Sequence, residues 1–322
     1  LVPISSGVNQ TFDSYTSGSS NELTFGWGGN IQDKLYLGAS IVLPIVNFNR
    51  SLQVSETDLS TTNTQNQFGG FVFNEEFSSR GWGIGAKFGI IYKPESFFRL
   101  GFALHTPQLI SFRDRISADM TTNTESYAGK VSASSGQLNN GVPGLREYTV
   151  MTPTKATFSG SYFFASPGKP TQPLGFISAD IEWVNYAGTR FSSNDFDEES
   201  ANYYDDLNNT MKSTYKNNLN IKIGSEIKLT SNWMARAGTA YYGSPYKNEF
   251  ADENGNALVT PSRFILSGGI GYRTNKYFID FTISSAANRD AVVPYRLIDK
   301  PSPIAVQNSN AVLFNIGYGI RF

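Results

Sequence analysis

His105 is the only histidine in the chain. One imidazole beside loop carboxylates is the least from which general-base hydrolysis can be built. No nucleophile motif is matched to it, and Pro107 two residues on marks a turn, so His105 is expected to be structural and the protein not an enzyme. Cysteine is absent, which removes thiolate nucleophiles, disulfides and Cys-ligated zinc or iron–sulfur centres, and a single histidine removes multi-His metal sites. Oxygen ligands remain. The run Asn194-Asp195-Phe196-Asp197-Glu198-Glu199, with Asp205-Asp206 beyond it, offers carboxylates to a divalent cation, but such runs are more often solvated loop or a short surface helix. Asp252-Glu253-Asn254-Gly255-Asn256 begins like a calcium loop, yet Ala257 stands where that pattern needs glycine and no closing glutamate follows; it reads better as an Asn-Gly turn. Gly81-Trp82-Gly83-Ile84-Gly85 has the glycine density of a nucleotide-binding turn without the helix that must follow, and fits small residues on one face of a strand. No metal and no cofactor is expected.

The chemistry therefore has to lie in surfaces. Charged residues make up 16% of the 322 residues, against roughly 25% in ordinary soluble domains, while aromatic residues reach 14%. Mean hydropathy is nonetheless -0.28, and no apolar run approaches the roughly 18 to 20 residues of a membrane-spanning helix. A helical membrane protein is excluded. A net charge of -1 argues against a nucleic-acid partner, which would require a basic face. The chain opens at Leu1 with no methionine, basic n-region or apolar h-region, so any signal peptide is expected to have been removed or to lie upstream.

The elements that must position these residues announce themselves by alternation with period two. Over the last residues, Val312, Phe314, Ile316, Tyr318, Ile320 and Phe322 point one way while Leu313, Asn315, Gly317, Gly319 and Arg321 point the other. The pattern recurs at 23–31, 35–43, 82–92, 98–104, 156–164, 175–183, 219–227, 233–241, 264–272 and 277–283. Each run is close to the roughly 9 to 11 residues a tilted strand needs to cross a bilayer. Connections alternate between short turns (32–33, 93–96, 166–173, 230–232, 274–275) and long loops (54–77, 110–146, 185–215, 243–261, 287–310). An up-and-down meander of that asymmetry is the pattern of transmembrane β-barrels, with short periplasmic turns and longer outer loops. A periplasmic C-terminus makes the strand at Leu23 descend, and Val8 to Tyr15 supplies an ascending one before it. The fold class expected is all-β, a single transmembrane antiparallel up-and-down β-barrel over residues 1–322 with about 12 strands.

The two faces of these strands differ. One is almost wholly Leu, Ile, Phe, Tyr, Trp and Ala, with Trp27, Trp82, Tyr92, Trp183, Trp233, Tyr241, Tyr272 and Tyr277 near strand ends, where interfacial girdles lie. The other carries glycines together with Lys87, Arg99, Asp180, Glu182, Lys222, Glu226, Arg236, Arg263, Asp280 and Arg321. Bases and acids confined to one face are expected to neutralise one another inside a lumen. A soluble β-sandwich would instead bury its apolar faces and solvate its charged ones. The charged face also holds Ile91, Phe163, Phe176, Met234, Ile265, Phe278 and Leu313, which are expected to line an apolar path for a ligand or, alternatively, to pack against a plug.

Several segments resemble the FadL-type outer-membrane transporters. Lys216 onward reads like a family hairpin, with Gly224, Leu229-Thr230, Trp233, Arg236, Gly238 and Ser244-Pro245 at the family's positions. Asp180 to Trp183 followed by Arg190-Phe191, Gly89 to Pro94 followed by Arg99-Leu100-Gly101 and His105-Thr106-Pro107, and Arg263 to Ser267 with Gly271-Tyr272 are similar to further family segments. The resemblance covers roughly residues 21 to 322. It implies a fourteen-stranded barrel that passes hydrophobic compounds, typically long-chain fatty acids, inward across the outer membrane without an energy source, its lumen plugged by an N-terminal hatch. No hatch-like segment precedes Val8, and the expectation is that the hatch and two strands lie upstream of Leu1. Outer-membrane lipids, a hydrophobic small molecule and, through the outer loops, a protein are the expected partners. The alternative is a non-transporting barrel subunit of a larger envelope complex, as for some relatives in secretion.

Overall fold

The computed structural model describes residues 7–61, 65–166, 169–194, 198–247, 250–251, 257–259, 261–292 and 305–320. In chain order the elements are β1 (Val8–Ile31), β2 (Leu35–Asp58), β3 (Gly70–Glu95), β4 (Phe98–His105), β5 (Leu109–Asn123), β6 (Lys130–Ser134), β7 (Gly144–Met151), β8 (Lys155–Ser166), β9 (Lys169–Val184) and β10 (Arg190–Ser193). Then come the helix α1 (Glu198–Thr214) and β11 (Asn218–Lys228), β12 (Trp233–Tyr242), β13 (Phe250–Ala251), β14 (Ala257–Val259), β15 (Ser262–Arg273), β16 (Tyr277–Val292) and β17 (Ala305–Ile320).

Sequence neighbours pair antiparallel throughout the main sheet. Three pairs of strands act as single runs interrupted once: β4 with β5 along β3, β7 with β8, and β9 with β10. The sheet is thus a meander of β1, β2, β3, these three composite runs, β11, β12, β15, β16 and β17, with β13 and β14 forming a separate hairpin. Val8 to Tyr15 is not a separate ascending strand. It continues β1 without a break, paired to β2 from Val8↔Asp58 to Ile31↔Leu35, because Gly18 lets the backbone pass close to Asn47 and Phe48 where a turn was expected. Eleven runs therefore cross the sheet among the described residues. Their number is odd, so β1 and β17 point the same way and cannot pair antiparallel with each other.

The interruptions fall side by side. Gly85 and Ala86 of β3 face the three residues 106–108, a bulge between Lys87↔His105 and Ile84↔Leu109. Pro107 and Pro153 have no N–H to give the ladder. The threonine before each proline compensates: Thr106 Oγ1 accepts from Ala86 N–H at 2.9 Å, and Thr152 Oγ1 accepts from Gln108 N–H at 2.9 Å. In the third run, Arg190 donates to the carbonyls of Ala187 and Thr189 at 2.8 and 2.7 Å. Thr106→Val and Thr152→Val should each cost about 1 kcal/mol, the usual net value of one hydrogen bond, read as a lower urea midpoint of the folded protein. An unchanged midpoint in both would mean that the hydroxyls do not hold the break.

One face of the sheet is apolar and uncovered. Trp82 is 71% and Ile316 78% exposed, and Phe88, Ile90, Ile181, Ile223, Ile270, Phe281 and Phe314 stand out on the same side. Water would not tolerate a patch of this size; lipid does. The apolar band stops abruptly. On β2, Leu37, Ile41 and Ile45 give way to Asn47, Asn49 and Ser51, and on β3, Trp82 gives way to Arg80 and Ser78 at the paired positions. Strands of 24 residues extend about 80 Å, whereas the apolar band of such proteins is about 25 Å tall. The sheet therefore continues as a polar wall well past the membrane boundary. The stretches 54–77 and 110–146, expected as loops, are largely strand for this reason.

Candidate functional site

The face opposite the apolar band holds the charges, in three groups set by strand register. Lys222 and Glu182 lie on adjacent strands with Nζ 3.4 Å from Oε2, and Asn220 donates to the other Glu182 oxygen at 2.8 Å. Arg236 bridges two acids, Nε to Glu226 at 2.7 Å and Nη1 to Asp280 at 2.7 Å, across β11, β12 and β16. That reach requires a strand without a side chain between Arg236 and Asp280. Gly271 of β15 supplies it: a Cβ there would stand 2.5 Å from the Asp280 carboxylate and 3.1 Å from the guanidinium. Lys87 pairs with Glu22 at 2.6 Å, and Gln108 donates to the second Glu22 oxygen at 2.9 Å.

Not every charge is neutralised. Arg99 has no ion-pair partner among the described residues; its guanidinium lies 4.4 Å above the Phe163 ring, a cation–π placement. Arg263 and Lys222 flank the Tyr242 ring at 6.0 and 5.6 Å. Arg321 lies outside the described residues.

Between the first two groups the wall recedes into an open hollow of about 410 Å³, bounded by Phe176, Asp180, Lys222, Glu226, Arg236 and Ile265. Its floor is small because Ser178, Gly224, Gly238 and Ser267 meet in one cross-strand row. Phe163 packs on Phe176 with ring centroids 5.4 Å apart. Phe163, Phe176 and Ile265 thus gather in or beside this hollow. The other four expected ligand residues are dispersed over the same face. Met234 is 5% exposed, Phe278 lies over Gly319, and Ile91 and Leu313 sit on β3 and β17 near opposite sides of the sheet.

Some of what surrounds the site was hidden from the sequence. Glu22, Gln108 and Asn220 complete the ion pairs; Glu22 and Asn220 share the alternation of Gly26 and Lys222, which would have found them. Gln108 lies in the bulge, where the alternation shifts by one. Above the membrane boundary, Phe112, Tyr148, Phe191 and Tyr204 form an aromatic cluster with centroids 5.7, 5.8 and 6.1 Å from the central Tyr148. It docks α1 on the polar wall, helped by Asn208, which exchanges two hydrogen bonds with the Phe191 backbone at 2.7 and 2.8 Å. Burial pushes the Tyr148 hydroxyl above the ordinary phenol range, and its bond to Asp114 adds to the shift. The acidic run falls partly on α1, with 195–197 outside the described residues; so are 252–256. His105 lies on the polar face opposite Lys87 and Lys155.

A lipid-compatible face backed by a largely ion-paired polar face on an antiparallel meander is the strand pattern of outer-membrane β-barrel proteins. The chain belongs to the outer membrane protein transport family (OMPP1/FadL/TodX), whose model matches residues 22–322. Members of this family are transporters, not enzymes. Among solved structures the chain resembles the Ralstonia pickettii toluene transporter TbuX, with 18% identity and a TM-score of 0.55 over 96% of this chain and 69% of that one. It also resembles a Pseudomonas aeruginosa FadL homologue, with 14% identity and a TM-score of 0.50 over 92% and 77%. No curated protein sequence matches it closely enough to identify a relative.

Proposed function

We propose that the sheet forms part of the wall of a closed barrel with its polar face toward the lumen and its C-terminus in the periplasm, and that the protein passes hydrophobic small molecules, long-chain fatty acids among them, passively across the outer membrane. The observation that carries this is the hollow lined by Phe176 and Ile265, with Phe163 packed on Phe176 beside it, amid the ion pairs of Lys222 and Arg236. A water-filled pore has no use for rings there. Ile91, Met234, Phe278 and Leu313 extend the apolar surface along the same face, and Lys87, Arg99, Asp180, Glu182, Lys222, Glu226, Arg236, Arg263, Asp280 and Arg321 form its charged frame. Outer-membrane lipids cover the apolar face.

The test is uptake by a Gram-negative strain lacking its own fatty-acid channel. Expression of the chain should accelerate accumulation of labelled oleate or of labelled toluene, and not of a sugar. Acceleration of neither hydrophobic compound would sink the reading. The long polar extensions favour a second one, a non-transporting subunit that meets a protein partner through its outer surface, and that outcome would leave uptake unchanged while a partner copurifies.

A further inference from the structure

A cluster of cations stands on the apolar side of the sheet just beyond the membrane boundary. Arg80 follows Trp82 by one step of alternation and lies directly opposite Arg113 of β5; Ser78, one step further, lies opposite Arg115. All three arginines are exposed. Arg113 is engaged by Glu147 at 2.5 Å, whereas Arg80 and Arg115 have no ion-pair partner among the described residues. Like charges directly across a strand pair repel, and among the described residues Arg80 has no carboxylate of its own to offset that repulsion. A phosphate would, since guanidinium groups hold it by paired, charge-assisted hydrogen bonds. Asn47 and Asn49 of β2, exposed and opposite Arg80 and Ser78, add hydrogen-bonding groups suited to sugar hydroxyls. The polar wall continues above them through β2 to Asp58 and β3 to Gly70, leaving room for a tall headgroup.

We propose that Arg80, Arg113 and Arg115, with Asn47 and Asn49, form a binding surface for the phosphorylated glycolipid of the outer leaflet, one phosphate lying between Arg80 and Arg115. Only the orientation proposed above, with the long extensions outside the cell, is used; transport is not. The test is native mass spectrometry of the delipidated full chain titrated with bis-phosphorylated lipid A. The protein should retain the lipid, and Arg80→Gln with Arg115→Gln should weaken retention roughly tenfold or more, as expected for lost charged hydrogen bonds. Arg80→Lys with Arg115→Lys should fall between, and Lys34→Gln with Lys93→Gln at the opposite rim should bind as the parent does. Equal binding of dephosphorylated lipid A, equal competition by phosphatidylglycerol, or undiminished binding by the Gln variant would each overturn the proposal.

Discussion

Phe176→Asp and Phe278→Asp should each lower uptake of labelled oleate about tenfold in cells while the protein still reaches the outer membrane and folds. Fully burying a Phe side chain is worth about 1.5–3 kcal/mol, so loss of that contact with a passing chain gives about this factor. The two sites test different points. Phe176 borders the hollow and supports the Phe163 ring, which in turn lies under Arg99. Phe278 lies over Gly319 beside Asp280, at the end of the wall near the short turns. If uptake falls at Phe176 alone, the path leaves the wall before Phe278; if it falls at neither, the ligand runs elsewhere. Because both side chains point away from the lipid band, neither change should impair insertion. Folded protein, read by the heat-dependent shift in electrophoretic mobility, should match the parent.

Arg236→Met should cost about 2 kcal/mol of stability and is the largest effect expected on the fold. The change leaves Glu226 and Asp280 facing each other with no cation between them. Removing one partner of a buried pair typically costs about 3–5 kcal/mol; the side chains here are 14–25% exposed, so the loss is smaller. Chemical unfolding in detergent should show the loss. Adding Glu226→Gln and Asp280→Asn to Arg236→Met should recover most of it, since what destabilises the single variant is the stranded acids. Failure of the triple variant to recover would mean that Arg236 acts by packing. Lys87→Met should cost less, because Lys87 and Glu22 are more exposed, at 31% and 39%.

How far the sequence could be read follows from how regular each segment is. Within the apolar band the strands obey a strict alternation; ten of the eleven runs that show it lie inside a strand of the structure, and the last does so as far as Ile320, with 321–322 outside the described residues. Beyond the band the outward residues become polar, as in Asn47, Asn49, Ser51 and Gln53, and both faces then look like loop. The same loss of contrast concealed the upper parts of β2 and β3 and led Val8 to Tyr15 to be read as a strand of its own. β5 was concealed twice, by its polar outer face and by the bulge at Thr106 to Gln108 that reverses its alternation. In the site, the charges at Glu182, Lys222, Glu226, Arg236 and Asp280 share one face as expected, since parity alone decides facing. Their partners were not legible, because pairing depends on register between strands: Arg236 reaches Asp280 across an intervening strand only because that strand offers Gly271.

The pairing of charges across neighbouring strands also has an electrical meaning. A wall bearing rows of one sign would attract counter-ions and let them pass in file, giving a conducting and ion-selective channel. Here Glu182 answers Lys222, Glu226 and Asp280 answer Arg236, and Glu22 answers Lys87, so along these pairs the field changes sign over one or two strand spacings and, in the proposed barrel, would fall off steeply away from the wall. An ion on that axis meets little net attraction to repay its dehydration, while an uncharged solute is indifferent to the pattern. In the proposed barrel, the arrangement would let the wall stay polar enough to fold and remain hydrated without making the outer membrane leaky to salt.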